Sequence, residues 1–180
     1  MTNKIRHIAI PISKKKLIIM LFGSIGFVAL GLWYIFNPPT IRNPFFGNPT
    51  VILVIGIASV LFFGLCAVYI VRKLPDNKPG LIIDNIGLTD NSSGVSAGQI
   101  LWSDIGNISV VAIHRQKLIM IKVKNPQDYI NKQTSGIKRK MMQMNFRMYG
   151  TPLCISSNAL KIKFDELLNI LNDNLSASRQ

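Results

Sequence analysis

Two long apolar runs, separated by a short proline-rich stretch, dominate the first half of the chain. Leu17 to Phe36 is twenty residues without a charge, Thr50 to Val71 is twenty-two more, and Asn37 to Pro49 joins them. At about 1.5 Å of rise per helical residue, either run crosses the roughly 30 Å hydrocarbon core of a bilayer. Neither carries polar residues at the 3.6-residue spacing of a helix packed on a soluble core. The pattern predicts a transmembrane helical hairpin at 17–73. Trp33 and Tyr34 fall at its outer end and Tyr69 near its inner end, where amphipathic rings favour the headgroup region. Gly23, Gly26 and Gly31 in the first run, with Gly56, Ser59, Gly64 and Ala67 in the second, permit close helix approach without forming a strict small-xxx-small repeat.

Outside the hairpin the periods are short. Ile8, Ile10 and Ile12 alternate with other residues in a basic arm, 1–16, an extended segment that either pairs with the cytoplasmic domain or stays mobile. Leu81 to Asp84 and Leu88 to Asn91, joined through Asn85-Ile86-Gly87, read as a β-hairpin whose Gly87 takes the left-handed conformation of a tight turn. Ile100 to Trp102 leads through Ser103-Asp104 to Ile105, and the β-branched run Ile108 to Ile113 reads as a buried strand. In Lys117 to Lys124, Ile119, Ile121 and Val123 share one face and Lys122 and Lys124 the other.

Asn125-Pro126-Gln127-Asp128 has the form of a helix start, with Asn125 as cap and Asp128 reaching back to it. That helix is expected to break at Thr134 to Gly136 and resume from Ile137 to Met148, where Gly150 and Pro152 stop it. Short strands are expected at Leu153 to Ser156 and around Leu160 to Ile162. Phe164, Leu167, Leu168, Leu171 and Leu175 then form one stripe on a C-terminal helix.

Antiparallel strands followed by a terminal helix with one apolar face suggest a curved sheet or partly open barrel whose mouth the helix covers. The glycine-bearing first hairpin, Trp102-Ser103-Asp104-Ile105 leading into a strand, and the capping helix resemble bacterial PH-like domains, which often follow one or two membrane spans. A closer resemblance is to a bacterial two-transmembrane protein family with a PH-like cytoplasmic domain. It is carried by Ser13 to Lys16, Lys78 to Asp84, Asn91-Ser92-Ser93, Trp102-x-Asp104-Ile105, Lys124-Asn125-Pro126, Met148 to Pro152, Ile155 to Asn158 and Phe164 to Leu167. The resemblance implies an α+β membrane protein, with an N-terminal transmembrane helical hairpin followed by a PH-like antiparallel β-domain, 76–176, and a C-terminal capping helix. It brings no activity with it.

Charge orients this plan. The net charge is +13, and its distribution matters more than its total. Lys4, Arg6, Lys14, Lys15 and Lys16 precede the first run, Arg72 and Lys73 follow the second, and the connecting loop holds only Arg42. The positive-inside rule puts both termini in the cytoplasm of a bacterial inner membrane, with Lys14, Lys15, Lys16, Arg72 and Lys73 as the topology determinants. All 8 acidic residues lie beyond residue 75, against thirteen Lys and Arg, a net of +5 for that half. The run from Leu17 is longer than a signal-peptide core and lacks a small-residue cleavage site, which favours a retained anchor. Cys66 in a span and Cys154 in the cytoplasm are not expected to form a disulfide.

Candidate chemistry is sparse. The spans hold no Asp, Glu, Lys, Arg or His, which argues against a channel, transporter or proton relay. His7 and His114 lack Cys, Asp or Glu at ligand spacing, so no metal site is expected. Asp165 and Glu166 suit a helix start, Ser156-Ser157-Asn158 suits a turn, and no glycine pattern of a phosphate-binding loop is present. No cofactor and no enzymatic activity are expected.

One stretch stands out. Ile137, Met141, Met144 and Met148 recur at helical spacing beside Lys138, Arg139, Lys140 and Arg147. Two placements are open to this helix: it lies in the inner interface with its apolar face in the acyl boundary, or its methionines pack on the domain's own sheet, as Met commonly fills irregular cores. The second is the expectation for the methionines, and the four cations are expected to face anionic lipid. No aromatic platform or motif for nucleic acid accompanies them. The expected function is therefore a non-enzymatic integral membrane protein whose PH-like domain binds a partner protein or anionic lipid at the inner membrane face. The alternative is a protective, immunity-like or envelope-stress protein acting through the hairpin.

Overall fold

The computed structural model describes residues 7–38, 48–93, 95–113 and 116–179. Lys4, Arg6, Arg42 and His114, named above, lie outside the described residues. The chain divides into two compact units: the stretch Lys14–Asn77, and the segment ending at Ser13 together with the chain from Lys78 onward.

The first unit is a hairpin of α1 (Lys14–Phe36) and α2 (Pro49–Lys73). Both helices are long and apolar enough to cross a membrane, with only 11% of each apolar window buried. A soluble core helix would hide most of such a window, whereas Phe22, Phe36, Leu65 and their neighbours are exposed. Where the helices touch, small residues let them approach. A Cβ on Gly31 would stand 3.0 Å from the Gly56 carbonyl oxygen, and one on Gly56 would stand 3.0 Å from that of Gly31. Beside them the Ser59 hydroxyl donates to the Phe27 carbonyl at 3.1 Å, and the Phe27 and Phe63 rings stack at 4.3 Å. Gly23, Gly26 and Gly64 face open space and take no part in this contact.

The second unit is α+β. Its first sheet runs β1 (Ile8–Ile10), β2 (Leu81–Ile83), β3 (Gly87–Asp90), β4 (Gly98–Leu101), all antiparallel neighbours. The N-terminal arm is thus a strand: Ile8 faces Ile83 and Ile10 faces Leu81. A second antiparallel sheet runs β5 (Ile105–Ile113), β6 (Gln116–Val123), β7 (Leu153–Ile155). Between β6 and β7 lie α3 (Pro126–Asn131) and α4 (Gly136–Tyr149), and α5 (Phe164–Ala177) closes the chain. Leu167, Leu171 and Leu175 of α5 join Leu81, Ile83, Leu88, Ile100, Ile105, Ile119 and Ile121 in one buried core.

Four local expectations give way to other solutions. Gly87 does not adopt a positive φ, since among the described glycines only Gly98 and Gly150 do. The Asp84 carboxylate makes the turn instead, accepting from the Ile86 and Gly87 amides at 2.9 Å each. Gly87 is required for another reason: a Cβ there would collide with the Ile100 carbonyl of β4. The Ile108 to Ile113 run is half exposed: β5 is the edge of its sheet, with β6 as its one strand neighbour among the described residues. Asn125 makes no side-chain cap to α3, as its amide donates to Asp104 and Asp128 at 3.2 Å. No strand forms at 160–162; a 3-10 turn at Ser157–Ala159 leads to Leu160, which bridges singly to Ile12.

Candidate functional site

Helix α4 carries the four cations singled out above, and its two faces have opposite fates. The inward side rests on Met142, which is fully buried, and on the half-buried Phe146, one turn apart. The Asn145 amide reaches the Cys154 sulfur on β7 at 3.7 Å. Gly150 ends the helix in the left-handed conformation, φ 71°, and its amide donates to Phe146 at 2.9 Å. Thr151, buried just beyond, donates its hydroxyl to the Ile121 carbonyl of β6. The helix is therefore fixed to the second sheet along one side and at its exit.

The methionines expected in the core are on the other side. Ile137 is 74% exposed, Met141 41%, Met144 51% and Met148 56%. The reason lies in the doublet Met141-Met142, which offers two apolar stripes on one helix. The sheet accepts the shorter stripe, Met142 and Phe146, and leaves the longer one outside. The four cations divide accordingly. Lys140 and Arg147 stand four residues before and three after Met144, so both border the exposed ridge. Lys138 and Arg139 stand four and three residues before Met142; Lys138 is half-buried, and Arg139 donates to the Gln133 carbonyl at 2.9 Å. Helix α4 carries no acidic residue.

The cations expected to set topology, Lys14, Lys15, Lys16, Arg72 and Lys73, flank the hairpin at the start of α1 and the end of α2. Lys14, Lys15 and Lys16 form the first turn of α1, which has no acidic residue, although the positive end of a helix dipole disfavours cations. Their placement does not serve helix stability. The Lys14 ammonium donates to Asn77 at 2.9 Å, and Lys73 pairs with Asp76 at 2.8 Å, in the segment after α2. Arg72 and Lys73, in the last turn of α2, do complement its dipole. A concavity of about 510 Å³ on the hairpin, lined by Phe27, Tyr34, Phe62 and Phe63 with Gly31 and Ser59, is apolar and open.

A polar corner that sequence reasoning missed joins β4, β5 and α3. The Tyr129 hydroxyl donates to Asp104 at 2.7 Å and accepts from the Leu101 amide at 3.3 Å. Lys124 donates to the Ser103 carbonyl at 2.9 Å, and the Trp102 indole to the Asp84 carbonyl at 2.8 Å. The Tyr129 hydrogen bond holds the Asp104 carboxyl below its usual range, partly offset by burial. Burial, with the bond to Asp104, pushes the Tyr129 phenol up to about 12. The signal was Trp102-x-Asp104 followed by Asn125 and Tyr129, but the sequence reading placed Trp102 and Asp104 at a link between strands and Asn125 at a helix start, and did not connect the two. The corner is a joint: the Tyr129 hydroxyl, the Asp104 carboxylate and the Leu101 amide satisfy one another, while the buried Asn125 side-chain oxygen has no hydrogen-bond partner among the described residues.

Among the described residues no group of three or more His, Cys, Asp or Glu side chains is placed to hold a metal ion. Burial pushes the Cys154 thiol above its ordinary value, away from nucleophilic use. Cys66 and Cys154 are both free thiols. Comparison with protein-family models, with curated proteins and with solved structures returns no match.

Proposed function

We propose that this chain is a two-pass protein of the bacterial inner membrane, with both termini cytoplasmic, whose PH-like domain is a non-enzymatic interaction module at the inner membrane face. It binds anionic lipid or a partner protein there, and the outward face of α4 is the binding surface. The observation that carries this reading is the exposed ridge of Ile137, Met141, Met144 and Met148 on a helix without an acidic residue. An apolar ridge on a helix already anchored by its opposite side serves no purpose in the domain's own core.

Two further features support the reading. Strand β1 pairs with β2, so the folded domain takes in chain from before and after the hairpin, which requires both ends of the hairpin on one side of the membrane. Four strands, three strands and a closing helix agree with a PH-like plan, in which the hairpin is an insertion between the first two strands. Scaffolds of this kind host many functions, so the site and not the fold bears the proposal. The test is co-purification of the full chain from native membranes in mild detergent, with retained lipids and proteins identified by mass spectrometry. Wild type is compared with Met144→Asp and with the double variant K140E/R147E. Loss of a co-purifying lipid or protein in the variants is expected; identical retention in all three rejects α4 as the binding surface.

A further inference from the structure

We infer that the occupant of the α4 ridge is the surface of a bilayer containing anionic phospholipid, into which the ridge inserts while Lys140 and Arg147 contact phosphates. This deepens, and rests on, the reading of α4 as the binding surface. Three observations single out lipid. The ridge is a narrow convex strip: Ile137, Met141, Met144 and Met148 follow one another at helical spacing, and all four are exposed. Its border is cationic on the side of Lys140 and Arg147, and the helix carries no carboxylate that a negatively charged surface would repel. Finally, the chain passes between the domain and the hairpin twice, at Ser13–Lys14 without an intervening residue and again between Lys73 and Leu81. Seven residues extend about 25 Å at most, so the domain cannot diffuse away from the membrane.

Methionine suits this use. Its unbranched thioether is apolar and conformationally adaptable, and conforms to disordered acyl chains as it does to irregular cores. An interfacial helix of this type lies with its apolar face about 5–10 Å below the headgroups. Binding then depends on lipid charge as well as on apolar contact.

The test uses the full chain with Cys66 and Cys154 replaced by Ala and a single nitroxide-labelled cysteine introduced at Met141, Met144, Met148 or, as a control on another exposed face of the helix, Gln143. The chain is reconstituted into phosphatidylcholine bilayers with and without phosphatidylglycerol. Collision with oxygen and with a water-soluble nickel chelate reports the depth of each label. In anionic bilayers the three ridge labels are expected to be oxygen-rich and chelate-poor, while the label at Gln143 stays open to the chelate. K140E/R147E is expected to reduce the inserted population at Met144→Cys about tenfold or more. Ridge labels as chelate-accessible as Gln143→Cys overturn the inference, and so does insertion that ignores both lipid charge and K140E/R147E. If the same variants lose a protein partner on co-purification while the ridge labels remain in water, α4 stays the binding surface and its lipid occupant is rejected.

Discussion

Ile12, two residues ahead of helix α1, forms a β-bridge with Leu160 near the other end of the chain. Around it the Ser13 amide donates to the Ala159 carbonyl at 2.8 Å, and the Lys161 amide to the Pro11 carbonyl at 2.9 Å. The arm before the hairpin is thereby built into the domain after it. Leu160 is fully buried and Ile10 nearly so. Ile10→Ala is expected to cost about 2 kcal/mol or more, the usual range for truncating a buried Ile. Thermal unfolding in detergent measures it, and a chain beginning at Lys14 is expected to melt lower still because β2 becomes an open edge. Unchanged melting of the shortened chain would show that the arm is not part of the fold.

Gly87 and Gly106 make a paired experiment. A Cβ at Gly87 meets the backbone of Ile100 and Leu101, which cannot swing aside, whereas at Gly106 the nearest atom is the Lys122 oxygen at 3.5 Å. Gly87→Ala is expected to destabilise by about 1–3 kcal/mol or prevent folding through overpacking. Gly106→Ala is expected to stay within about 1 kcal/mol of wild type, although Gly106 lies at the register shift between β5 and β6. Equal effects would contradict the close backbone approach of β3 and β4 at Gly87.

The Tyr129–Asp104 bond sets two pH limits. Asp104 is held below its ordinary 3.8, so its contribution is present above that pH and disappears as the pH falls through its lowered folded value. Tyr129 is raised from 10.0 to about 12, so its phenol is neutral in both the folded and the unfolded chain below pH 10. Between 10 and 12 the unfolded chain ionises first, and stability falls. Tyr129→Phe is expected to lower stability by about 1.5–3 kcal/mol near neutrality, the usual loss of a hydrogen bond to a charged group, and to flatten both limbs. Denaturation followed from acid to alkaline pH compares the two; parallel profiles would dissolve the joint.

Oxidation separates the two faces of α4. Mild peroxide treatment of the detergent-solubilised chain, followed by peptide mass mapping, is expected to convert Met141, Met144 and Met148 to sulfoxides well before Met142 and Met120, which are almost fully buried. Early oxidation of Met142 would mean that α4 is not fixed to the sheet.

Long-range periodicity was legible and local alternatives were not. Uncharged runs of bilayer length and the Leu167–Leu171–Leu175 stripe each admit one solution, and the structure has them as α1, α2 and α5. Where a segment offered two solutions, pattern could not choose between them. The doublet Met141-Met142 supplies two stripes, and only the space left by β7 and Phe146 decides which is buried. Gly87 serves either a turn or a close backbone approach, and the neighbour that decides, Ile100, is thirteen residues away. The partner of the N-terminal arm lies beyond the hairpin, out of reach of any local signal.

The strongest single check is side-specific labelling in whole cells, with Cys66 and Cys154 replaced and one cysteine placed at Asn37, just after α1, or at the exposed Asn158. An impermeant maleimide is expected to label Asn37→Cys in intact cells and Asn158→Cys only after the membrane is opened. Labelling of Asn158→Cys in intact cells, or of neither position until opening, would contradict a two-pass hairpin that carries its folded domain on the cytoplasmic side.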